Sequence, residues 1–199
     1  TNFRNGDPID TNLTREADSP KIAIDSANQV YVAYRQNDDN YFNVYLSRYS
    51  EANALQIWNT DFPAGWTINL ANGDPIGISD ATGDALGPKL TIDSEDRVYL
   101  AYAQQEAGTD RIFMSRYSEP DMQIWSGIWR SDSFDQAQPI DTGDKQAEGH
   151  QVIADNDDNI YVAFGQLAEG INRIHLTRWN GTDIEIWNSR VPQWTTNLS

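Results

Sequence analysis

One phrase recurs three times along the sequence, and this recurrence constrains the fold more than any other feature. Its copies read IDSANQVYVAYRQN, IDSEDRVYLAYAQQ and IADNDDNIYVAFGQ. The first Asp of the turn within each copy, at Asp25, Asp93 and Asp155, repeats after 68 and then 62 residues. Self-similarity at a nearly fixed spacing is the signature of a repeat architecture.

Other residue types keep the same spacing. They are Tyr31, Tyr99 and Tyr161; Gln36, Gln104 and Gln166; Arg48, Arg116 and Arg178; and Trp58, Trp125 and Trp187. We therefore interpret residues 1–199 as a single module made of three copies of one unit, spanning approximately 7–66, 74–130 and 138–194.

Within a unit the apolar pattern has a period of two, which is typical of β-strands. In the segment VYVAYRQ, Val30, Val32 and Tyr34 point to one side, while Tyr31 and Ala33 point to the other. A strand that is apolar on both sides lies between stacked sheets. Asp- and Asn-rich turns separate four such segments in each unit. The sequence thus predicts an all-β fold of three four-stranded antiparallel sheets, most economically the blades of a β-propeller.

These segments resemble the degenerate propeller repeats of bacterial extracellular and surface proteins. The resemblance rests on SPKIAIDSANQVYVAYRQ followed by NVYLSRYS, and on NIYVAFGQ followed by RIHLTRWNGTDIEIW. It covers almost the whole chain and implies a β-propeller with an extracellular or cell-surface location. Since such propellers serve as adhesive, glycan-binding and scaffolding modules as well as enzyme domains, the resemblance leaves the function open.

Three blades do not close a familiar propeller ring, which has about four to eight. The chain ends in PQWTTNLS and starts with TNFRNGDPID, and joining these would reproduce the internal linker AGWTINLANGDPIG. We expect two chains to complete a six-bladed ring, or the sequence to be a segment of a longer head-to-tail array. A β-trefoil of three units is the remaining alternative, because QIW resembles a motif of ricin-type lectins.

Composition narrows the choice of partner. A net charge of −16 argues against contact with nucleic acid, since phosphate binding needs clustered Lys and Arg. No apolar run reaches the roughly 18 residues of a membrane span, and a start at Thr1 fits a mature secreted product. The expected partner is a glycan or a surface protein, without membrane insertion.

Trp66, Trp129 and Trp194 are the first candidate ligand-binding residues. They fall in polar connections at irregular distances after Trp58, Trp125 and Trp187, for which core packing is the favoured interpretation. Exposed aromatic rings in such connections suit sugar C–H surfaces and protein hot spots. Gln36, Gln104 and Gln166 end the second strand of each unit, and they either line a repeated sugar pocket or bond the loops of their own blade.

Oxygen ligands at Asp155, Asp157 and Asn159 have the alternating spacing of a calcium loop. The corresponding turns of the other units lack this pattern. Calcium is therefore expected at this one loop only, and no cofactor is expected to be required. His150 and His175 have no suitable neighbours in sequence and predict neither a catalytic nor a metal site.

The three repeated Arg residues invite comparison with sialidases, which bind a substrate carboxylate with an arginine triad. Here they occupy equivalent positions in three units, so a ring would hold them apart, and pairing with turn Asp residues or carbonyls is the favoured interpretation. The sequence therefore predicts a non-catalytic binding module, carbohydrate-binding or adhesive. The alternatives are an assembly protein of a surface layer or filament and a fragment of a propeller hydrolase.

Overall fold

The computed structural model describes residues 8–10, 14–60, 64–77, 83–131, 136–143, 145–196 and 198. In this part of the chain, each repeat forms its own antiparallel sheet of five strands, in which neighbouring strands follow chain order. None of the helices in these residues has the length and apolar character needed to span a membrane. The all-β prediction is therefore confirmed, and pairing within separate repeats does not match the single shared barrel of a β-trefoil.

The strands are numbered in chain order. Sheet 1 contains β1 (Ala17–Ile24), β2 (Val30–Asn37), β3 (Phe42–Ser50), β4 (Ala54–Asn59) and β5 (Gly65–Thr67). Sheet 2 contains β6 (Ala85–Ile92), β7 (Val98–Glu106), β8 (Thr109–Ser118), β9 (Asp121–Trp125) and β10 (Trp129–Arg130). Sheet 3 contains β11 (Ala147–Ala154), β12 (Ile160–Ala168), β13 (Ile171–Trp179), β14 (Ile184–Asn188) and β15 (Gln193–Thr195).

The prediction of four strands per sheet is wrong by one strand. The fifth strand is two or three residues long and contains the second Trp of each unit, which pairs with the first Trp across β4 and β5, β9 and β10, or β14 and β15. A segment this short has no readable periodicity of its own. Its pairing depends on contact between the two Trp rings.

The turn between the first two strands of each sheet is built by its Asp. Asp25 accepts the N–H of Gln29 at 2.7 Å, and Asp93 accepts the N–H of Arg97 at 3.0 Å. The third residue after each Asp has a left-handed backbone with φ of 60–61°, a conformation that Asn and Asp tolerate better than most residues. These residues are Asn28, Asp96 and Asp158. The repeated phrase is therefore a hairpin, as its composition predicted.

Sheet 2 lies between sheets 1 and 3 and shares an apolar core with each. Leu100 and Tyr102 face sheet 1 and pack with Leu46, while Tyr99 and Ala101 face sheet 3. All four of these β7 residues have no exposed surface. This confirms the prediction of strands buried on both sides.

The segment that precedes sheets 2 and 3 is anchored on the sheet before it. The Ile76 N–H donates to the Val44 carbonyl at 2.8 Å, and the Ile140 N–H donates to the Ile112 carbonyl at 2.8 Å. Ile76 and Ile140 are completely buried. The linkers are thus part of the contact between neighbouring sheets.

A bulge interrupts the pairing of the first two strands of every sheet, and the first of its two unpaired residues has a positive φ. This residue is Ser19, Gly87 or Gly149, with φ of 54°, 30° and 66°. An added Cβ at Gly149 would meet no atom within 4 Å. Glycine is therefore favoured there by the positive φ and not by a lack of space.

Gly149→Ala is expected to lower the free energy of unfolding by about 1 kcal/mol, because a Cβ disfavours the left-handed region. Urea unfolding of the purified chain measures this. The control is Gly165→Ala on the partner strand, where the nearest atom to an added Cβ is 3.6 Å away and φ is not positive. Equal destabilisation by both variants would contradict the backbone explanation.

Candidate functional site

The second Trp of each unit is half-buried instead of lying in an exposed loop, so that part of the prediction is wrong. Each ring packs edge-on against the first Trp, with centroids 5.3–5.5 Å apart. The predicted residues are Trp66, Trp129 and Trp194. One ring face of each lies 4.4–4.5 Å from a guanidinium carbon, that of Arg48, Arg116 or Arg178 respectively. The arrangement accounts for these rings as packing elements, and a role in ligand binding stays a prediction.

The repeated Arg residues also bond a side chain on the fourth strand of their own sheet. The Nε–O distances are 2.8 Å for Arg48 to Gln56, 2.6 Å for Arg116 to Gln123 and 2.8 Å for Arg178 to Glu185. The expected partners, turn Asp residues or carbonyls, are therefore replaced by these side chains. In each sheet the guanidinium is held between a Trp and a polar side chain of the neighbouring strand.

Gln36, Gln104 and Gln166 are almost completely buried, with exposures of 0%, 0% and 1%. Gln166 holds the linker before sheet 3, since its Nε2 donates to the Lys145 carbonyl at 2.7 Å and its Oε1 accepts the Thr142 N–H at 3.1 Å. Gln104 donates to Asn43 at 3.3 Å, and Gln36 donates to Asp10 at 3.4 Å. The contacts of Gln36 and Gln166 match the alternative in which Gln bonds the loops of its own blade, whereas Gln104 bonds β3 of the preceding sheet. A sugar contact stays a prediction.

Asp155 uses its carboxylate within its own turn. It accepts the N–H groups of Asp157 and Asn159, each at 2.9 Å, and the Asn159 side-chain amide. These hydrogen bonds lower the pKa of Asp155, that from the Asn159 side chain most of all. No group of three or more His, Cys, Asp or Glu side chains in the described residues converges as a metal site. Calcium at this loop stays a prediction.

Sheet 1 contains an ion pair between its first two strands at a position where sheets 2 and 3 have none. Asp18 on β1 pairs with Arg35 on β2, while the equivalent pairs are Leu86 with Ala103 and Glu148 with Gly165. The Arg35 guanidinium donates to both oxygens of the Asp18 carboxylate, and the Nη2–Oδ2 distance is 2.8 Å. The Ala or Gly of the second strand has thus been replaced by Arg35, which gives the acidic residue of the first strand a cationic partner that Glu148 lacks.

Two further residues complete what we call the Asp18–Arg35 site. Arg35 lies 4.5 Å from the centre of the Phe42 ring, and Asp84 accepts the Phe42 N–H at 2.9 Å. Arg35 also donates to the Ala85 carbonyl at 3.3 Å, so the site lies where sheet 1 meets sheet 2. The Asp18 and Arg35 side chains remain 36% and 21% exposed. A ligand can therefore reach both groups.

The charges of the site stabilise one another. The hydrogen bond from Arg35 lowers the pKa of the Asp18 carboxyl, and the same bond raises the pKa of Arg35. Asp18 is consequently an ionised acceptor and Arg35 a permanent donor at neutral pH. Tyr41, whose side chain is at the end of the adjoining loop, is 39% exposed. The site offers paired hydrogen-bonding groups of both kinds beside the Phe42 ring.

The sequence contained a signal for this site that the prediction did not use. When the three repeats are aligned, Arg35 is equivalent to Ala103 and Gly165, and Asp18 is equivalent to Leu86 and Glu148. A charged pair that departs from the repeat cannot be explained by the packing rule of the repeat. The register that brings the two residues together is set by the bulge at Ser19.

No protein-family model matches the sequence, and no curated protein is significantly similar to it. Solved structures with a similar arrangement include a glycosyl hydrolase from Bacteroides ovatus, with a TM-score of 0.49 and 10% identity over 93% of this chain. An endo-arabinase from Bacteroides thetaiotaomicron has a TM-score of 0.46 and 12% identity over 90% of this chain. The chain spans 52% and 60% of the lengths of these two proteins. At TM-scores below 0.5, neither activity nor substrate is transferred to this chain.

Proposed function

We propose that the three sheets are blades of a β-propeller and that the chain is a non-catalytic, carbohydrate-binding module of an extracellular or surface protein. The observation that carries the proposal is the Asp18–Arg35 pair, which interrupts the repeat at an accessible point. Sugar hydroxyl groups both donate and accept hydrogen bonds, so a carboxylate beside a guanidinium can bind neighbouring hydroxyls.

The Phe42 ring at the site, with the exposed Tyr41 next to it in the sequence, supports a sugar over a small ion. Phe42 lies against Arg35, and Tyr41 exposes its ring at the same end of the sheet. Aromatic rings bind apolar C–H surfaces at little cost in conformational entropy. The net charge of −16 disfavours polyanionic ligands, so a neutral glycan is the expected class.

The electrostatics of the site favour binding over hydrolysis. A carboxyl group that acts as a general acid needs a raised pKa, so that it holds its proton near neutral pH. Arg35 has the opposite effect and lowers the pKa of Asp18. An ionised carboxylate clamped by a guanidinium is suited to accept hydrogen bonds from a ligand.

Asp18→Asn is expected to weaken glycan binding at least tenfold, because a hydrogen bond to a charged group contributes about 1.5–3 kcal/mol. An array of neutral oligosaccharides identifies the probe, and isothermal titration calorimetry with the strongest hit gives the Kd. Near-ultraviolet circular dichroism confirms that the Trp and Tyr environments are unchanged.

Glu148→Gln is the matched control, because Glu148 is exposed and occupies the same repeat position in sheet 3 without an Arg opposite. It is expected to bind within about twofold of the wild type. Absence of any neutral glycan hit, or equal binding by Asp18→Asn and the wild type, would contradict the proposed function.

A further inference from the structure

Sheets 1 and 2 are joined by the same kind of contact as sheets 2 and 3. The first strand of the following sheet contributes two side chains to the core shared with the preceding sheet. Leu90 and Ile92 do this between sheets 1 and 2, and Val152 and Ala154 do it between sheets 2 and 3. The equivalent residues of sheet 1, Ile22 and Ile24, are 68% and 59% exposed.

The opposite face of sheet 3 shows the complementary exposure. Ile174 occupies the position of Val44 and Ile112, both of which are completely buried, yet it is 82% exposed. Trp187 is 42% exposed, although Trp58 and Trp125 at the same repeat position are 2% and 5% exposed. The open faces of sheets 1 and 3 therefore contain the two halves of the contact that sheet 2 makes with its neighbours.

Charge complementarity between the two open faces follows the internal contact. At the contact of sheets 2 and 3, Arg111 donates to the Asp141 carboxylate with Nε–Oδ1 and Nη2–Oδ1 distances of 2.8 and 2.6 Å. The equivalent residues at the open faces are Arg173 on sheet 3 and Asp10 before sheet 1. Arg173 is exposed, and Oδ1 of Asp10 is buried without a hydrogen-bond partner among the described residues.

The hairpin turns supply a second polar match. Ser26 donates its N–H to Asp96 at 2.8 Å, and Ser94 donates its N–H to Asp158 at 2.8 Å. If sheet 3 of one copy met sheet 1 of another in the same way, the equivalent pair would be Asn156 of the first copy and Asn28 of the second. Two amide side chains can exchange a donor and an acceptor, so this contact is also complementary.

Each open face contains a cavity larger than the one of about 150 Å³ at the internal contact of sheets 2 and 3, which is lined by Leu86, Ala103 and His150 among others. The cavity on sheet 1 has a volume of about 420 Å³ and is lined by Ile9, Pro20 and Val32 among others. The cavity on sheet 3 has a volume of about 340 Å³ and is lined by Tyr161, Ala163 and Leu176 among others. At the internal contact of sheets 2 and 3, the equivalent space beside Ala101 contains the ring of His150, with an Nε2–O distance of 3.0 Å.

We propose that the open face of sheet 3 binds the open face of sheet 1 of a second copy of this chain, in the manner of the internal sheet contacts. The interface is heterologous, and two copies that each use both faces close a ring of six sheets with twofold symmetry. In this ring Asp10 of each copy pairs with Arg173 of the other, and Ile22 and Ile24 become buried. The proposal does not rest on glycan binding: Arg35 contacts the Ala85 carbonyl of sheet 2, and Asp18 is the one residue of the Asp18–Arg35 site that also lines the cavity on the open face of sheet 1.

The experiment is the solution mass of the full chain, measured by light scattering and sedimentation equilibrium across a dilution series. The wild type is expected to have twice the chain mass of 22.5 kDa. Asp10→Arg and Arg173→Asp each place like charges together and are expected to weaken dimerisation at least tenfold. The double variant Asp10→Arg/Arg173→Asp restores opposite charges and is expected to dimerise again.

Ile174→Glu tests the apolar part of the interface, and Ile128→Glu is its control. Ile128 is also largely exposed, at 63%, but it belongs to sheet 2, which is already covered on both faces. Only Ile174→Glu is expected to dissociate the dimer. A monomeric wild type, an open assembly larger than two chains, or a dimer insensitive to all three single variants at positions 10, 173 and 174 would overturn the proposal.

Discussion

Asp141→Ala is expected to lower the free energy of unfolding by about 3 kcal/mol, because it leaves a largely buried guanidinium without its main partner. Asp141 is 2% exposed and accepts three hydrogen bonds, two from Arg111 and one from the Ile112 N–H at 2.7 Å. This loss is at the low end of the range for removing one partner of a buried ion pair. The reason is that Glu106, 3.8 Å from Arg111, still offers the guanidinium a negative charge. Urea unfolding followed by Trp fluorescence measures the loss.

The repeat supplies a control for this variant. At the contact of sheets 1 and 2, the residues equivalent to Arg111 and Asp141 are Asn43 and Gly77. The contact between sheets therefore forms with two neutral residues at these positions. The double variant Arg111→Asn/Asp141→Gly is therefore expected to recover at least half of the stability lost in Asp141→Ala. If the double variant is as unstable as the single one, the loss does not come from an unpaired Arg111.

Acidification from pH 7 to pH 5 is expected to cost the folded chain about 2 kcal/mol through His150 alone. His150 is 4% exposed, and its pKa is lowered to about 4, mainly by burial and also by Lys89. The unfolded chain protonates this residue near its ordinary pKa of 6.5. The unfolded state thus binds more protons, so this contribution is complete above pH 6.5 and is lost as the pH falls towards 4.

Urea unfolding at pH 7, 6 and 5 measures this dependence in a range where ordinary carboxyl groups remain largely ionised. His150→Gln is expected to remove most of the loss. His175→Gln is expected to retain most of it, because His175 is less buried and burial lowers its pKa less strongly. A wild type whose stability is unchanged between pH 7 and pH 5 would show that His150 is not buried as a neutral ring.

Prediction from the sequence succeeded where the information is local. Strands β2, β7 and β12 are recognisable because apolar residues alternate on both sides, and their turns because Asp and Asn stabilise tight hairpins. It failed for the second Trp of each unit, because β5, β10 and β15 are too short to show a period. Their position depends on a ring and a guanidinium that lie on other strands.

The candidate site was missed for a related reason. Asp18 and Arg35 are 17 residues apart, and only the register of β1 against β2, shifted by the bulge, places them opposite each other. The predicted Gln residues were named correctly as repeated, but Gln36 and Gln166 bond the linkers before their own sheets and Gln104 bonds Asn43 on β3. Whether a polar residue faces a ligand or a linker depends on what packs over it, and periodicity does not contain that information.

By itself, the sequence determined that the chain consists of three similar β-units with apolar residues on both sides of their central strands, because these properties follow from repetition and alternation. The tertiary structure alone decided which faces are covered. Sheet 2 is buried between its neighbours, whereas equivalent residues of sheets 1 and 3 are exposed, although all three units follow the same pattern. Burial is a property of neighbours, so equal sequences can have unequal surfaces when they occupy the middle and the ends of a stack.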